Sequence, residues 1–367
     1  MKLWAVIFFL LPVVGIGYSF YRTWHLLPLS VPFKIGVLAV LAVCIFLFFA
    51  NFVVWDINKL PMPLATAAYE VGNSSLFILL YVVMLYVLLD LLRLLHVVPA
   101  SFMEHSWQGT LTVLAVTAGL FVYGYFHYIN KVKQPLELKT QKLKATDRPL
   151  RMVMLTDLHI GYHNRADELE RWVRLVNAEQ PDLVLIGGDI IDGHMRPLRE
   201  QHMAQVFRHI TAPVVACLGN HEYYSGCPEA LEFYREAGIT LLRDSVATVK
   251  GVNIVGRDDR TNPRRKSISE LTAGLDRSLY TILLDHQPYH LEEAARAGID
   301  FQLSGHTHYG QVWPISWIED AIYEDAYGPL QKGGTQYYVT SGIGIWGGKF
   351  RIGTRSEYVV AELKGTR

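Results

Sequence analysis

The chain has 367 residues, with 34 basic and 34 acidic side chains and a formal net charge of zero. That length allows about two domains, and the balanced charge gives no case for broad electrostatic capture of nucleic acid. Hydrophobic residues make up 51% of the chain and crowd into its first third, whereas His, Gly and charge gather after it. Cys44, Cys217 and Cys227 form no CxxC pair and no disulfide-like framework, so they read as reduced structural thiols. That usage fits a reducing compartment.

Four apolar stretches reach the roughly 20 residues that a bilayer-crossing helix needs: Leu3–Tyr21, Phe33–Trp55, Ser75–Val98 and Trp107–Ile129. No small-residue cleavage site follows the first and three more spans do, so it reads as a span and not as a removed leader. Lipid offers backbone groups no partner, so each span is expected to be helical and residues 1–130 to form a four-helix transmembrane region. Trp24, Trp55, Trp107 and Tyr128 sit near span ends, where aromatic rings favour the interface. Asp90 and Arg93 share one face of the third span. They read as an ion pair with Arg93 snorkelling outward, or as a functional intramembrane charge.

With four spans, Lys2, Lys59, Lys131, Lys133, Lys139, Lys142 and Lys144 fall on one side, and Arg22, Lys34 and Arg93 on the other. The positive-inside bias then puts the C-terminal part in the cytoplasm; losing one span reverses it. Residues 131–148 read as a basic linker facing anionic head groups, and residues 149–367 as a catalytic domain.

From residue 149 short apolar runs alternate with helical periodicity. Arg151–Thr156, Asp182–Ile186, Pro213–Leu218, Tyr280–Leu284 and Phe301–Leu303 read as strands. Glu168–Asn177, Leu198–Ile210, Pro228–Ala237 and Tyr289–Ala297 read as amphipathic or helical stretches. The alternation predicts an α/β sheet with helices on its faces. Just past the strand ends lie Asp157-Leu158-His159, Gly187-Gly188-Asp189, Gly219-Asn220-His221-Glu222, Asp285-His286 and Gly305-His306-Thr307-His308. Open α/β sheets bind ligands at such ends. Carboxylate, imidazole and amide oxygen without thiolate suit Mn²⁺, Fe or Zn²⁺. There are enough donors for two ions, an arrangement that clamps a phosphoryl group and activates a water.

The order DxH…GD…GNHE…H…GHTH resembles the calcineurin-like metallophosphoesterase family over residues 149–365. Gly305–Gln311 resembles the subgroup with Gly-His-Thr-His-x-Gly-Gln, which includes membrane-tethered bacterial phosphoesterases and enzymes acting on UDP-2,3-diacylglucosamine in lipid A synthesis. The resemblance implies an α/β fold of four layers, an αββα sandwich, after the transmembrane region. It implies that Asp157, His159, Asp189 and His308 hold one divalent ion, and that Asp189, Asn220, His286 and His306 hold a second, with Asp189 bridging. It implies that His221 protonates the leaving oxygen or stabilises the transition state, and that a metal-activated hydroxide attacks a phosphodiester or pyrophosphate. Tyr309 departs from the subgroup, which usually has Gly there.

Other positions carry two readings each. Asp192 either orients a ligand imidazole or closes the turn before Gly193. Glu222 reads as structural. Asp285 supports His286 or caps a helix near Pro288. Arg351 is a phosphate-gripping fork or a surface ion pair. Arg260, Arg264, Arg265 and Lys266 form a solvated loop or an anionic-substrate patch. Trp313, Trp317, Tyr323 and Tyr327 in a long loop contact an acyl chain, a base or the bilayer, or pack ordinarily. The expected partners are the lipid bilayer and a phosphorylated lipid or nucleotide-type substrate. The alternatives are a membrane-localised phosphodiesterase of soluble nucleotides and a metal-binding sensor domain.

Overall fold

A computed structural model of the chain describes residues 3–50 and 56–366, with residues 3–10 as backbone only. The chain forms two compact units, residues 1–126 with 347–349 and residues 127–346 with 350–367.

The N-terminal helices are α1 (Leu3–Leu26), α2 (Val31–Phe49), α3 (Met62–Leu94), the short α4 (Ala100–Met103) and α5 (Trp107–Ile129). Among the described residues α2, α3 and α5 are long and apolar enough to cross a membrane. The helix α1 covers the first expected span. The expected end of the second, Trp55, lies outside the described residues, as does Lys2. The third helix begins at Met62 rather than Ser75, and its 33 residues span about 50 Å at 1.5 Å each, more than the roughly 30 Å hydrocarbon layer.

Asp90 does not pair with Arg93. Its partners are Arg22 and Tyr18 of α1, and Arg93 lies 3.2 Å from Glu104. A carboxylate on an apolar helix is satisfied by donors from the facing helix, which the periodicity of one span does not reveal. Lys34 is likewise buried, donating to the Trp24 carbonyl at 2.8 Å.

The second unit is built on two six-stranded sheets. The first contains β1 (Val132–Thr140), β2 (Leu150–Leu155), β3 (Leu183–Gly187), β4 (Val214–Cys217), β5 (Thr240–Leu241) and β12 (Glu357–Gly365), in the order β1-β12-β2-β3-β4-β5. The second contains β6 (Ser245–Val249), β7 (Val252–Gly256), β8 (Thr281–Leu284), β9 (Phe301–Ser304), β10 (Gly328–Lys332) and β11 (Thr335–Val339), in the order β10-β11-β9-β8-β7-β6. Strands β2 to β5 are parallel neighbours, as are β7, β8, β9 and β11. Hairpin partners close the second sheet at both edges.

Residues 131–148 are therefore not a linker. Strand β1 pairs along its length with β12, from Val132 opposite Glu357 to Thr140 opposite Gly365. Three of the segment's lysines are engaged within the unit. Lys131 is buried beside Glu168 and the Tyr128 ring, Lys133 meets Glu179 at 2.6 Å, and Lys142 meets Asp300 at 2.6 Å. The partner strand lies more than two hundred residues downstream, beyond any local signal.

Alternation along each strand sorts the core into layers. On β2, Met152 and Met154 point between the sheets, with Leu183, Leu185, Ile282, Leu284, Phe301 and Leu303. Val153 and Leu155 point outward, where α6 (Ala166–Ala178) lays down Leu169, Trp172, Val173 and Val176. The expected helix at 198–210 is two short ones, α7 (Arg196–Glu200) and α8 (Met203–Phe207), broken by the left-handed backbone of His202. With α9 (Asn220–Tyr224) and α10 (Cys227–Glu236), they lie on the same side of the chain path, and α8 and α10 add Met203, Phe207 and Phe233 to that layer. The other outer face, around Val255, Leu283 and Tyr337, is covered by α11 (Ile268–Thr272) and α12 (Leu291–Arg296). The unit is a four-layer αββα sandwich.

Phe301 is fully buried between the sheets. Phe301→Ala is expected to remove about 3–5 kcal/mol, lowering the thermal midpoint by roughly 10 °C for a unit of this size. Thermal unfolding in detergent checks this, and an unchanged midpoint would contradict a packed inter-sheet layer.

Candidate metal centre

Each expected donor follows the C-terminal end of a parallel strand. Asp157 and His159 follow β2, Asp189 follows β3, Asn220 and His221 follow β4, His286 follows β8, and His306 and His308 follow β9. Both sheets contribute. The backbone turns abruptly at these ends, and Asp157, His159, Asp189, His306 and His308 all have positive φ, from 45° to 71°. Such conformations each cost about 1–3 kcal/mol in non-glycine residues, so the surrounding packing has to hold them. Gly188 takes φ of 92°, and a Cβ there would stand 2.8 Å from His286 Nδ1. At Gly305 a Cβ would collide with the Asp157 carboxylate.

Three groups of donor atoms gather within coordinating reach: Asp157, His159 and His308; His159, Asp189 and His221; and Asp189, His286 and His306. His159 Nε2 lies 3.8 Å from Asp157 Oδ1 and 3.7 Å from Asp189 Oδ2, and 3.1 Å from His308 Nε2. His286 Nε2 lies 3.0 Å from Asp189 Oδ2, while its Nδ1 faces the Gly187 carbonyl at 2.8 Å. Asp189 is thus common to two groups. Six of the seven expected donors fall in these groups, and the seventh, Asn220, lies buried at the start of α9 just past β4.

The donor set fits divalent ions. Asn220 Oδ1 and His308 Nδ1 are buried without a hydrogen-bond partner, a costly state for polar atoms in a folded interior. Burial drives the imidazoles of His306, to about 4, and His308 towards the neutral form that ligates. Burial opposes charge on His159 too, yet the hydrogen bonds of Asp157 and Asp192 and the charge of Asp189 raise it to about 10. His286 is raised against its burial chiefly by Asp189.

Side chains around the donors hold them. Asp192 Oδ1 lies 3.1 Å from His221 Nδ1 and 3.7 Å from His159 Nδ1, so it orients two imidazoles. Glu222 is buried and accepts the N–H groups of Asp189, Ile190, Ile191 and Gly219 at 2.7–3.2 Å. Burial and the charge of Asp189 raise it to about 7. The sequence signal for this role is its position at the third residue of α9, where a carboxylate reaches back to the start of a helix.

Three expectations change. Asp285 neither supports His286 nor caps a helix; Arg257 and Arg265 hold it at 3.2 and 3.0 Å. Arg265 therefore leaves the basic patch, and Arg260 lies 3.9 Å over the Tyr289 ring. Arg351 is neither a phosphate fork nor a surface residue. It is fully buried, donating to the carbonyls of His308, Ser341 and Gly344 and to Ser356 Oγ. The His308 carbonyl lies 43 residues before Arg351, whereas Ser341 and Gly344 lie 10 and 7 residues before it. Tyr309, where the subgroup usually has Gly, takes φ of 49°, which explains the usual preference. Its ring stacks on Tyr327 at 4.9 Å.

Residues 150–310 match the calcineurin-like phosphoesterase family. An uncharacterized metallophosphoesterase of Helicobacter pylori strain J99 is 30% identical over 272 residues, 72% of this chain and 74% of that protein. A Danio rerio protein described as a transmembrane protein with metallophosphoesterase domain is 31% identical over 71% of this chain and 63% of its own length. Phosphodiesterase YaeI of Escherichia coli is 29% identical over 70% of this chain and 97% of its own. The chain belongs to the calcineurin-like phosphoesterase family. It is a metal-dependent phosphoester hydrolase with apolar helices of a membrane protein.

Arg351→Lys keeps the charge but cannot reach the same carbonyls. The loss of several charged hydrogen bonds is expected to destabilise by about 3 kcal/mol, with the half-saturating concentration for a phosphoester unchanged. A raised half-saturation at an unaltered thermal midpoint would assign Arg351 to the substrate instead.

Proposed function

We propose that this chain is a membrane-anchored, dinuclear-metal phosphoesterase that cleaves a phosphodiester or pyrophosphate bond in a lipid-linked substrate. The convergence of six expected donors together with His221 from five strand-end loops, with the buried Asn220 Oδ1 and His308 Nδ1 lacking partners, carries this reading. Asp157, His159, Asp189 and His308 hold one ion; Asp189, Asn220, His286 and His306 hold the other, with Asp189 shared. Oxygen and nitrogen donors without thiolate suit Mn²⁺, Fe or Zn²⁺. When bound, the two ions supply Lewis acidity and a lowered pKa for a water.

The chain's own residues do the rest. The Asp192 carboxylate holds His221 through Nδ1 at 3.1 Å, which leaves Nε2 to meet the leaving oxygen. His221 is therefore the general acid. A relative named a phosphodiesterase supports a diester over a monoester. The apolar helices support a substrate held in the bilayer, and the lysines after the fourth expected span support a cytoplasmic site.

The test is hydrolysis of bis-p-nitrophenyl phosphate by detergent-purified protein after chelation and Mn²⁺ re-addition. Turnover is expected to vanish on chelation and return with metal. Asp189→Asn is expected to lose bound metal as well as activity, read by elemental analysis. His221→Ala is expected to keep its metal and to lose about 10²–10⁴-fold on a diester with an alkyl leaving group. The loss should be smaller on the nitrophenyl ester, whose leaving group needs little protonation. Equal losses on both would remove His221 from the general-acid role, and no turnover with any divalent metal bound would remove the diesterase reading.

A further inference from the structure

The segment after His308 carries an apolar face turned to the outside. Helix α13 (Ile315–Ile322) buries only Ser316 among its eight residues. Trp317, Ile318 and Ile322 are 64%, 57% and 55% exposed, and their spacing puts all three on one side of the helix. A helix on a water-soluble surface shows the reverse, apolar inward and polar outward. The Trp313 ring packs edge-on against Trp317 at 5.2 Å, extending the same face.

The helix is firmly seated and close to the donors. Trp313 N–H donates to the Ile352 carbonyl at 2.7 Å, and the Tyr309 hydroxyl reaches Asp320 at 3.3 Å. Tyr323, directly after α13, lies with its ring 6.3 Å from that of His306.

The occupant follows from the chemistry. Tryptophan beside isoleucine on a short amphipathic helix is the composition that settles at a lipid–water boundary. Among the described residues three helices are long and apolar enough to cross a membrane, the last ending at Ile129 just before β1, so a bilayer is tethered to this unit. The helix has no Lys or Arg, which argues against electrostatic attraction to anionic lipid. Of its two acids, Asp320 faces the Tyr309 hydroxyl, and burial with Asp320 nearby pushes Glu319 up to about 7.

We propose that α13 is an interfacial anchor whose Trp317, Ile318 and Ile322 face enters the lipid boundary, presenting the adjacent donor cluster to phosphoesters held in the bilayer. The consequence for substrate access rests on the phosphoesterase reading above; the placement of the helix does not.

The experiment uses the full chain in phosphatidylcholine vesicles. Cys44→Ser and Cys227→Ser remove the accessible thiols, Cys217 being buried. A nitroxide label then goes on Ile318→Cys, Ile322→Cys or Asp320→Cys. Labels at 318 and 322 are expected to be relaxed by oxygen, which concentrates in lipid, and the label at 320 by a water-soluble nickel chelate. Nickel access at 318 equal to that at 320 would overturn the proposal, as would shielding from both agents, the mark of a protein partner or a second copy. In parallel, Trp317→Asp combined with Ile318→Asp is expected to slow cleavage of a vesicle-held diester by at least about tenfold, given the transfer energy of two large apolar side chains. Cleavage of water-soluble bis-p-nitrophenyl phosphate should be unchanged. Equal rates on the vesicle substrate would overturn the access role. If the parent protein cleaves neither substrate, the phosphoesterase reading fails while the label still decides where α13 lies.

Discussion

The Asp189 carboxylate stands 3.0 Å from His286 Nε2 and 3.7 Å from His159 Nε2, while its other oxygen accepts the His221 N–H at 2.9 Å. It lies buried at the end of β3, among groups carried by both sheets. A charge so placed needs compensation from every side. The His286 and His159 imidazoles and the His221 N–H supply it, while Glu222 fixes the loops at Asp189 and Gly219 through four backbone donors and Gly188 turns the chain where a side chain would strike His286. The two sheets bring β8 and β9 loops against those of β2, β3 and β4.

The strained backbone at five donors belongs to the same economy. Left-handed conformations at Asp157, His159, Asp189, His306 and His308 persist because the layers around them are closely packed, with Phe301, Leu303 and Met154 fully buried. Arg351 shows the cost in another form. Its guanidinium is withdrawn from solvent to tie the His308 carbonyl to the loops at Ser341 and Gly344. Charged side chains near the centre thus serve geometry as much as chemistry.

In the helical unit, burial of polar groups is solved by pairs between helices. Asp90 meets Arg22 and Tyr18, and Thr23 meets Tyr86 at 3.1 Å. Ser75 donates to the Cys44 carbonyl at 3.0 Å. None of these partners is adjacent in sequence.

The donors, the family and the apolar helices were legible in the sequence because their signals are local. Asp157, Asp189, Asn220, His286 and His306 each follow an apolar run that becomes a strand, and hydropathy needs only a window of one helix. Helix α6 was equally plain from the spacing of Leu169, Trp172, Val173 and Val176. The tertiary structure decided what depends on distant partners. Residues 132–140 became a strand only because β12 lies alongside. Asp285 went to Arg257 and Arg265 because β8 ends near that loop. Arg351 turned inward because the distant His308 carbonyl meets those of Ser341 and Gly344 there, and the Trp317 face of α13 was left outward by packing that no periodicity records. Local pattern sets which residues form an element and where its polar end falls; contacts across long stretches of chain set what each side chain then touches.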